Sequence, residues 1–435
     1  MTEPCWLLNK KVAGLFRRDL HPAPSTPLSN FCVFCDFCGY NPPMLTVLLS
    51  SILLVAQIAY SPAWDGPAAD FPELEPARKD PVPLAENAYL ILREATVVQG
   101  SENLSSLRDL DLEDTSPEKL DRWEEALAAA AEVEPALRAF LDAQTYYETE
   151  AVPTETHHLQ FILGVIRYLQ VRTLHAIHTD RPEDAMRSAA QALDISYRMM
   201  SHNRSLIQWM MSTLTMIRSL ESAHHVLLAF PNADPAALLE ALKKTPDMRR
   251  TAWRAFQGEF RFIQNKVSEM KEEGTHYRDV VFAANLPSGF WDSFPVASVL
   301  LQENNTTTLY GNTFMPWHPF LHAKMKERSE IPWPGDHPSQ PARSNLLGER
   351  LVESFRPSLH ETVHTALKTE AHARALIRLI DLREQASLSP SLYADPFTGL
   401  SMRLSDDQTR ILSAGKDQTF GTEDDLEFST QSSRD

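Results

Sequence analysis

The sequence predicts a mainly α protein with an N-terminal transmembrane helix, a helical-hairpin, repeat-like domain and a small C-terminal β-hairpin. Three observations predict it. Glycine is scarce, 14 of 435 residues, while Ala, Leu, Glu and Arg are common, which favours helices because few positions are free for tight turns. Apolar residues recur at three- and four-residue spacing through the centre of the chain. Residues 44–60 carry no charge at all. With 43% hydrophobic residues, the chain has enough apolar surface to bury a core.

The formal charge of −17, from 58 acidic and 41 basic residues, repels a phosphate backbone at long range and argues against nucleic acid as a partner. The charge is unevenly placed. Lys10, Lys11, Arg17 and Arg18 against Glu3, Asp19 and Asp36 leave residues 1–43 at +1, so residues 61–435 carry −18. Cys5, Cys32, Cys35 and Cys38 also precede residue 44. The main domain therefore has no thiol and is held by packing alone.

Met44 to Tyr60 reads MLTVLLSSILLVAQIAY, at the short end of what crosses a bilayer as a helix. A membrane anchor is expected, against a buried core helix or a cleavable signal segment. Ala59-Tyr60-Ser61 has small residues at cleavage spacing but runs into Pro62, which favours retention. The basic residues of the tail lie far from the segment, and Arg78 and Lys79 lie nearer on its other side, so charge alone does not orient it. A hydrophobic segment this early in a chain usually acts as a signal-anchor. The expectation is therefore a single-pass protein with the tail inside and the main domain extracytoplasmic.

The organisation predicted is an N-terminal tail at 1–43, the anchor at 44–60, a linker at 61–83, an α-helical domain at 84–390 and a β-hairpin with an acidic loop at 391–435. The linker is rich in Pro, Ala and acids, too little apolar to fold by itself. A helical pattern starts near Glu86. A clearer one follows Ser116-Pro117-Glu118, which supplies an N-cap, a proline at the first helical position and an acid for the dipole; it should run to about Ala131, with another helix after Pro135. Between His157 and Phe230, Leu159, Ile162, Ile166 and Leu169 mark one helix. Asp180-Arg181-Pro182 breaks it, and Ala185, Ala189, Leu193 and Tyr197 mark the next. The small residues allow close approach, as in tetratricopeptide-type pairs, without a faithful 34-residue repeat. Further helices are predicted at Leu206–Phe230, after Asp234-Pro235, at Arg249–Glu273 and at Pro357–Ala386. Residues 274–345 read as irregular, a binding loop or a poorly ordered one, with one short helix near Phe320–Arg328.

Three motifs carry possible chemistry. His360-Glu361-Thr362-Val363-His364 matches the H-E-x-x-H of zinc peptidases, in which two histidines one turn apart hold zinc and Glu361 would deprotonate its water. A third ligand would have to return from a later element. The pattern after His364 has no Gly or Pro to turn the chain, and Glu384 would lie about 30 Å along an unbroken helix, so exposed histidines on a helix are the plainer reading. Cys32, Cys35 and Cys38 have iron–sulfur or zinc spacing but no local fourth cysteine, and read as unligated thiols. His157-His158 and His224-His225 read as solvated or hydrogen-bonded pairs. Serine-hydrolase, P-loop and Rossmann signatures are absent from the sequence.

The third motif is the stretch from Tyr393 to Phe428. Asp395-Pro396-Phe397-Thr398-Gly399 is a turn, Ser401–Leu404 and Arg410–Ser413 alternate as strands, and Asp406-Asp407 supplies the bend. Asp417, Gly421, Asp424 and Asp425 then form an acidic loop suited to the oxygen-only coordination of calcium, or else a solvated turn with no ion. This stretch resembles the C-terminal hairpin and calcium loop of the major pseudopilins of type II secretion. The resemblance implies Asp417, Asp424 and Asp425 as calcium ligands, Asp395 as a turn residue, and a role in a secretion or pilus-like apparatus. It covers about the last forty residues; the chain lacks a prepilin sequence before its hydrophobic segment and has a far larger helical domain. The overall layout is similar to that of uncharacterised membrane-anchored helical proteins of Planctomycetes-type bacteria, which implies no activity. The function expected is a membrane-tethered helical scaffold that presents a surface to a protein partner and catalyses nothing. A zinc-dependent hydrolase acting through His360, Glu361 and His364 is the alternative, and a secretion-apparatus component a further one.

Overall fold

The computed structural model describes residues 69–74, 87–88, 90–91, 104, 107, 110, 112, 116–143, 157–201, 205–272, 303–334 and 346–431. The segment 44–60, the four cysteines and most of the 61–83 segment lie outside them. Among the described residues, no helix is long and apolar enough to cross a membrane. Helices dominate, with one three-stranded antiparallel sheet after the last of them.

Helices α1 (Pro117–Ala129) and α2 (Glu134–Asp142) lie against α3 (His157–His178) and α4 (Pro182–Ser201). Pro117 opens α1 as predicted, but the Ser116 side chain makes no capping hydrogen bond. The predicted hairpin forms at Asp180, whose φ of 53° is left-handed. The Arg181 amide there donates back to the Ala176 carbonyl at 2.8 Å, closing α3 in a Schellman-type turn. Pro182 then starts α4 without losing a needed donor.

Helix α4 is the wall between two cores. Ala192, Ile195 and Met199 pack with Trp123, Phe140, Phe161 and Ile166. Ala185, Ala189, Leu193 and Tyr197, on another face at four-residue spacing, pack into the larger core with Trp209, Phe256 and Leu376. That core is built by α5 (Leu206–Ala229), α6 (Ala236–Lys243), α7 (Met248–Glu272), α8 (Glu303–Phe314), α9 (Trp317–His322) and α10 (Leu346–Glu384). The Ser205 hydroxyl caps α5, accepting from the Gln208 amide at 3.3 Å. Asp247 caps α7, accepting from the Arg249 amide at 3.1 Å.

Several expectations need correction. The predicted hairpin is a three-stranded sheet: β1 (Arg403–Leu404), β2 (Arg410–Ser413) and β3 (Leu426–Ser429), in the order β1-β2-β3. β3 was read as the end of the acidic loop, yet it pairs with β2 in the register Ile411↔Phe428. The region 274–345 is not irregular where described. Its 303–314 part is helix α8, and the short helix expected at Phe320–Arg328 is split into α9 and a 3-10 turn at Met325–Glu330. Helix α10 begins at Leu346, so Pro357 lies within it rather than at its start.

Residues 69–74, expected in a free linker, are pinned to the core instead. Leu74 is fully buried, the Gln257 amide donates to the Glu73 carbonyl at 2.7 Å, and the Phe71 ring meets Phe260 edge-on at 5.7 Å. Gly311 makes this possible. A Cβ there would collide with the Phe71 ring, so only glycine lets that aromatic lie against α8.

Candidate functional site

The His360-Glu361-x-x-His364 motif lies on α10, which continues unbroken to Glu384. Its histidines are half-buried, not exposed as the plainer reading had it. His360 Nδ1 accepts from the Trp333 indole N–H at 3.1 Å, and the His360 ring lies 4.8 Å from that of Trp317. The His364 ring sits between those of Trp333 and Phe397, each at 6.0 Å. Burial, then the charges of Lys416 and Lys368, bring its pKa down to about 4, so it is neutral at pH 7. Glu361 is exposed and shared between His364 Nδ1 at 3.8 Å and Lys416 at 3.5 Å. A zinc-bound water needs a third protein ligand and an unshared base. Here the motif is instead surrounded by tryptophan, phenylalanine and lysine.

The acidic loop folds around its own amides. Asp424 Oδ2 accepts from the Asp417 N–H at 3.0 Å, Asp417 Oδ1 from the Thr419 N–H at 2.8 Å, and Asp425 Oδ2 from the Gly421 N–H at 2.8 Å. The Thr422 hydroxyl lies 2.8 Å from Asp424 Oδ1 and 3.5 Å from Asp425 Oδ1. These bonds favour the ionised form of Asp424, whose pKa lies below its usual value although burial pushes it upward. Among the described residues, no group of three or more His, Cys, Asp or Glu side chains lies together in a way that could hold a metal.

The site that sequence reading missed is a buried charged joint between the helices and the segment after them. Arg249, at the start of α7, is 0% exposed, and Arg328 is 1% exposed. Arg249 donates to the carbonyls of Phe320 at 2.8 Å, Pro396 at 2.9 Å and Phe397 at 3.0 Å, with its guanidinium 4.0 Å from the Phe320 ring centre. Arg328 reaches Asp247 at 2.9 Å and the Pro396 carbonyl at 3.3 Å. Glu370 on α10, also fully buried, takes both the Met248 amide at 3.0 Å and Arg374 at 2.6 Å. Burial first, and Arg328 second, lower the Arg249 pKa to about 9, which leaves it charged at neutral pH.

Asp395 completes the joint from the other side. It is 0% exposed. Oδ1 accepts from the Phe397 amide at 2.6 Å and the Thr398 amide at 3.2 Å, and Oδ2 from the Ala414 amide at 2.7 Å. The turn thereby offers its own carbonyls outward, to the two arginines. Gln418, held at φ 60°, shares its side-chain amide among the carbonyls of Arg328, Ile331 and Phe397. Phe397, Met402 and Ile411 belong to the same core as α5 and α10, so the sheet packs as part of the helical body.

Helix α5 is apolar on more than its core face, where Trp209, Met216, Leu220 and Val226 are buried. Ser212, Thr215, Ser219 and Ser222 face inward, and Ser219 meets Ser196 of α4 hydroxyl to hydroxyl at 3.0 Å. Ile207 is 50% and Leu214 37% exposed, with Met210 and Ile217 half-buried beside them. Their three- and four-residue spacing makes one outward apolar stripe. Ile217 also lines an open groove of about 780 Å³ between α5, α10 and β3, together with Lys368, His372, Asp425 and Phe428. No known protein family, curated protein or solved structure matches this chain.

Proposed function

We propose that the protein is a non-catalytic helical scaffold, tethered to a membrane through residues 44–60, that presents the outward face of α5 to a protein partner. The observation that supports this is the α5 stripe. Single exposed apolar residues are ordinary, but Ile207, Met210, Leu214 and Ile217 share one helix face although Trp209, Met216, Leu220 and Val226 already supply the face that enters the core, which is the pattern of a surface meant to be covered. The buried joint ties α7 and α10 to the turn after them, and its role in this reading is structural.

A photo-crosslinking residue at position 214 of the full chain, in native membranes, tests this. One protein adduct is expected, lost on Ile207→Glu and not formed when the crosslinker replaces Arg187 on α4. The same adduct from both positions, or none from 214, would refute the reading. Calcium at Asp417, Asp424 and Asp425 is a second reading, which rests on three carboxylates in one loop and would require them to give up bonds to the loop amides and to Thr422. A rise in melting temperature with calcium that Asp424→Ala/Asp425→Ala abolishes would support it.

A further inference from the structure

Helix α9 carries His318 and His322 one turn apart. Trp317, Phe320 and Leu321 are buried, so packing fixes the rotation of this short helix and leaves His318 half-buried and His322 exposed beside it. Their ring centres are 4.4 Å apart with planes tilted by 37°. Both rings rest edge-on against the buried Trp253 indole, at 4.8 Å and 5.5 Å, which restricts their rotamers. Among the described residues, no hydrogen-bond partner occupies a nitrogen of either ring. The H-E-x-x-H pair differs here, because Trp333 already takes His360 Nδ1.

We infer that His318 and His322 form a two-imidazole chelate for a divalent transition-metal ion of the copper or zinc class. Histidines at i and i+4 on one helix face meet a single ion from one side, and imidazole nitrogen suits copper and zinc, with copper the tighter. The remaining coordination positions open outward to water or to a donor from another molecule.

Titration of the purified full chain with Cu²⁺ at neutral pH tests this by calorimetry and by tryptophan emission. One equivalent should bind and quench part of the emission of the eight tryptophans. His322→Ala should remove the saturable one-equivalent binding, and Trp253→Phe should keep the binding heat while removing most of the quench. His360→Ala/His364→Ala should leave both signals unchanged. Circular dichroism confirms that each variant is folded. Stoichiometric binding that survives His318→Ala/His322→Ala, binding lost instead with the His360 and His364 pair, or no saturable binding by the folded wild type would each overturn the inference.

Discussion

Acidification should loosen the seam between α10 and the sheet, and His372 sets the size of the effect. Its ring stacks on Phe428 at 5.1 Å and 18° and meets His224 edge-on at 5.4 Å, with Nε2 buried and unpartnered. Burial, then the charges of His224 and His225, lower its pKa from 6.5 to about 3. The folded state therefore binds fewer protons than the unfolded one, and the stabilisation present above pH 6.5 is lost as pH falls toward the folded value. Each unit of pH in that window is worth about 1.4 kcal/mol per histidine, so descending to about pH 4.5 costs about 2.7 kcal/mol through His372. His364 adds a similar loss, and Glu259 opposes both. Urea unfolding followed by circular dichroism at about pH 7 and about pH 4.5 measures the difference. His372→Phe, which keeps a ring against Phe428, should recover about 2–3 kcal/mol of the acid loss. If the variant loses as much stability as the wild type over that interval, the buried-imidazole account is wrong.

Glu259 is 6% exposed, and burial raises its pKa to about 7, opposed by one hydrogen bond from the Leu206 amide. Its contribution is present below the unfolded value near 4.5 and lost as pH rises through 7. Glu259→Gln should therefore be the more stable protein at about pH 8 by roughly 3 kcal/mol, and nearly equal to wild type at about pH 4, in the same urea assay. Arg249→Met strands the carbonyls of Phe320, Pro396 and Phe397 and should cost about 3–5 kcal/mol, read as a lower urea midpoint. Gly311→Ala should destabilise by about 1–3 kcal/mol by driving a methyl group into the Phe71 ring; in a Phe71→Ala background the same change should become neutral or stabilising, as helix propensity then prevails. Ile207→Glu/Leu214→Glu should leave the melting temperature within about 2 °C of wild type, since both side chains face outward, and a calorimetric scan checks it.

The α3–α4 hairpin was legible because its signals agree: apolar spacing on both sides, a break at Asp180-Arg181-Pro182, and small residues at 185 and 189. Helix α8 was not, because Asn304, Asn305 and three successive threonines have weak helix propensity. Burial of Thr306, Leu309, Tyr310 and Phe314 outweighs that preference, and no local rule reports such tertiary burial. β3 was hidden by its length, four residues at the end of an acidic run. The Asp395 turn was read correctly as a turn, and Asp417, Asp424 and Asp425 do share one loop. The joint stayed invisible because arginines within helices ordinarily face solvent. Nothing in Arg249-Arg250 tells that the first is sealed and the second exposed, until Phe320 and Pro396 are known to lie above it.

The joint also fixes an order of events during synthesis. Arg249 and Arg328 lie in segments that emerge well before residues 396 and 397, whose carbonyls receive them. Until then Arg249 has only the Phe320 carbonyl and Arg328 only carboxylates such as that of Asp247 to receive their protons, so part of each guanidinium still needs water. A chain interrupted just after Glu384 would contain every α-helix described and still lack the Pro396 and Phe397 carbonyls that both arginines use. Such a chain should be less stable than its helix content suggests, because two buried cations would keep only part of their hydrogen bonds.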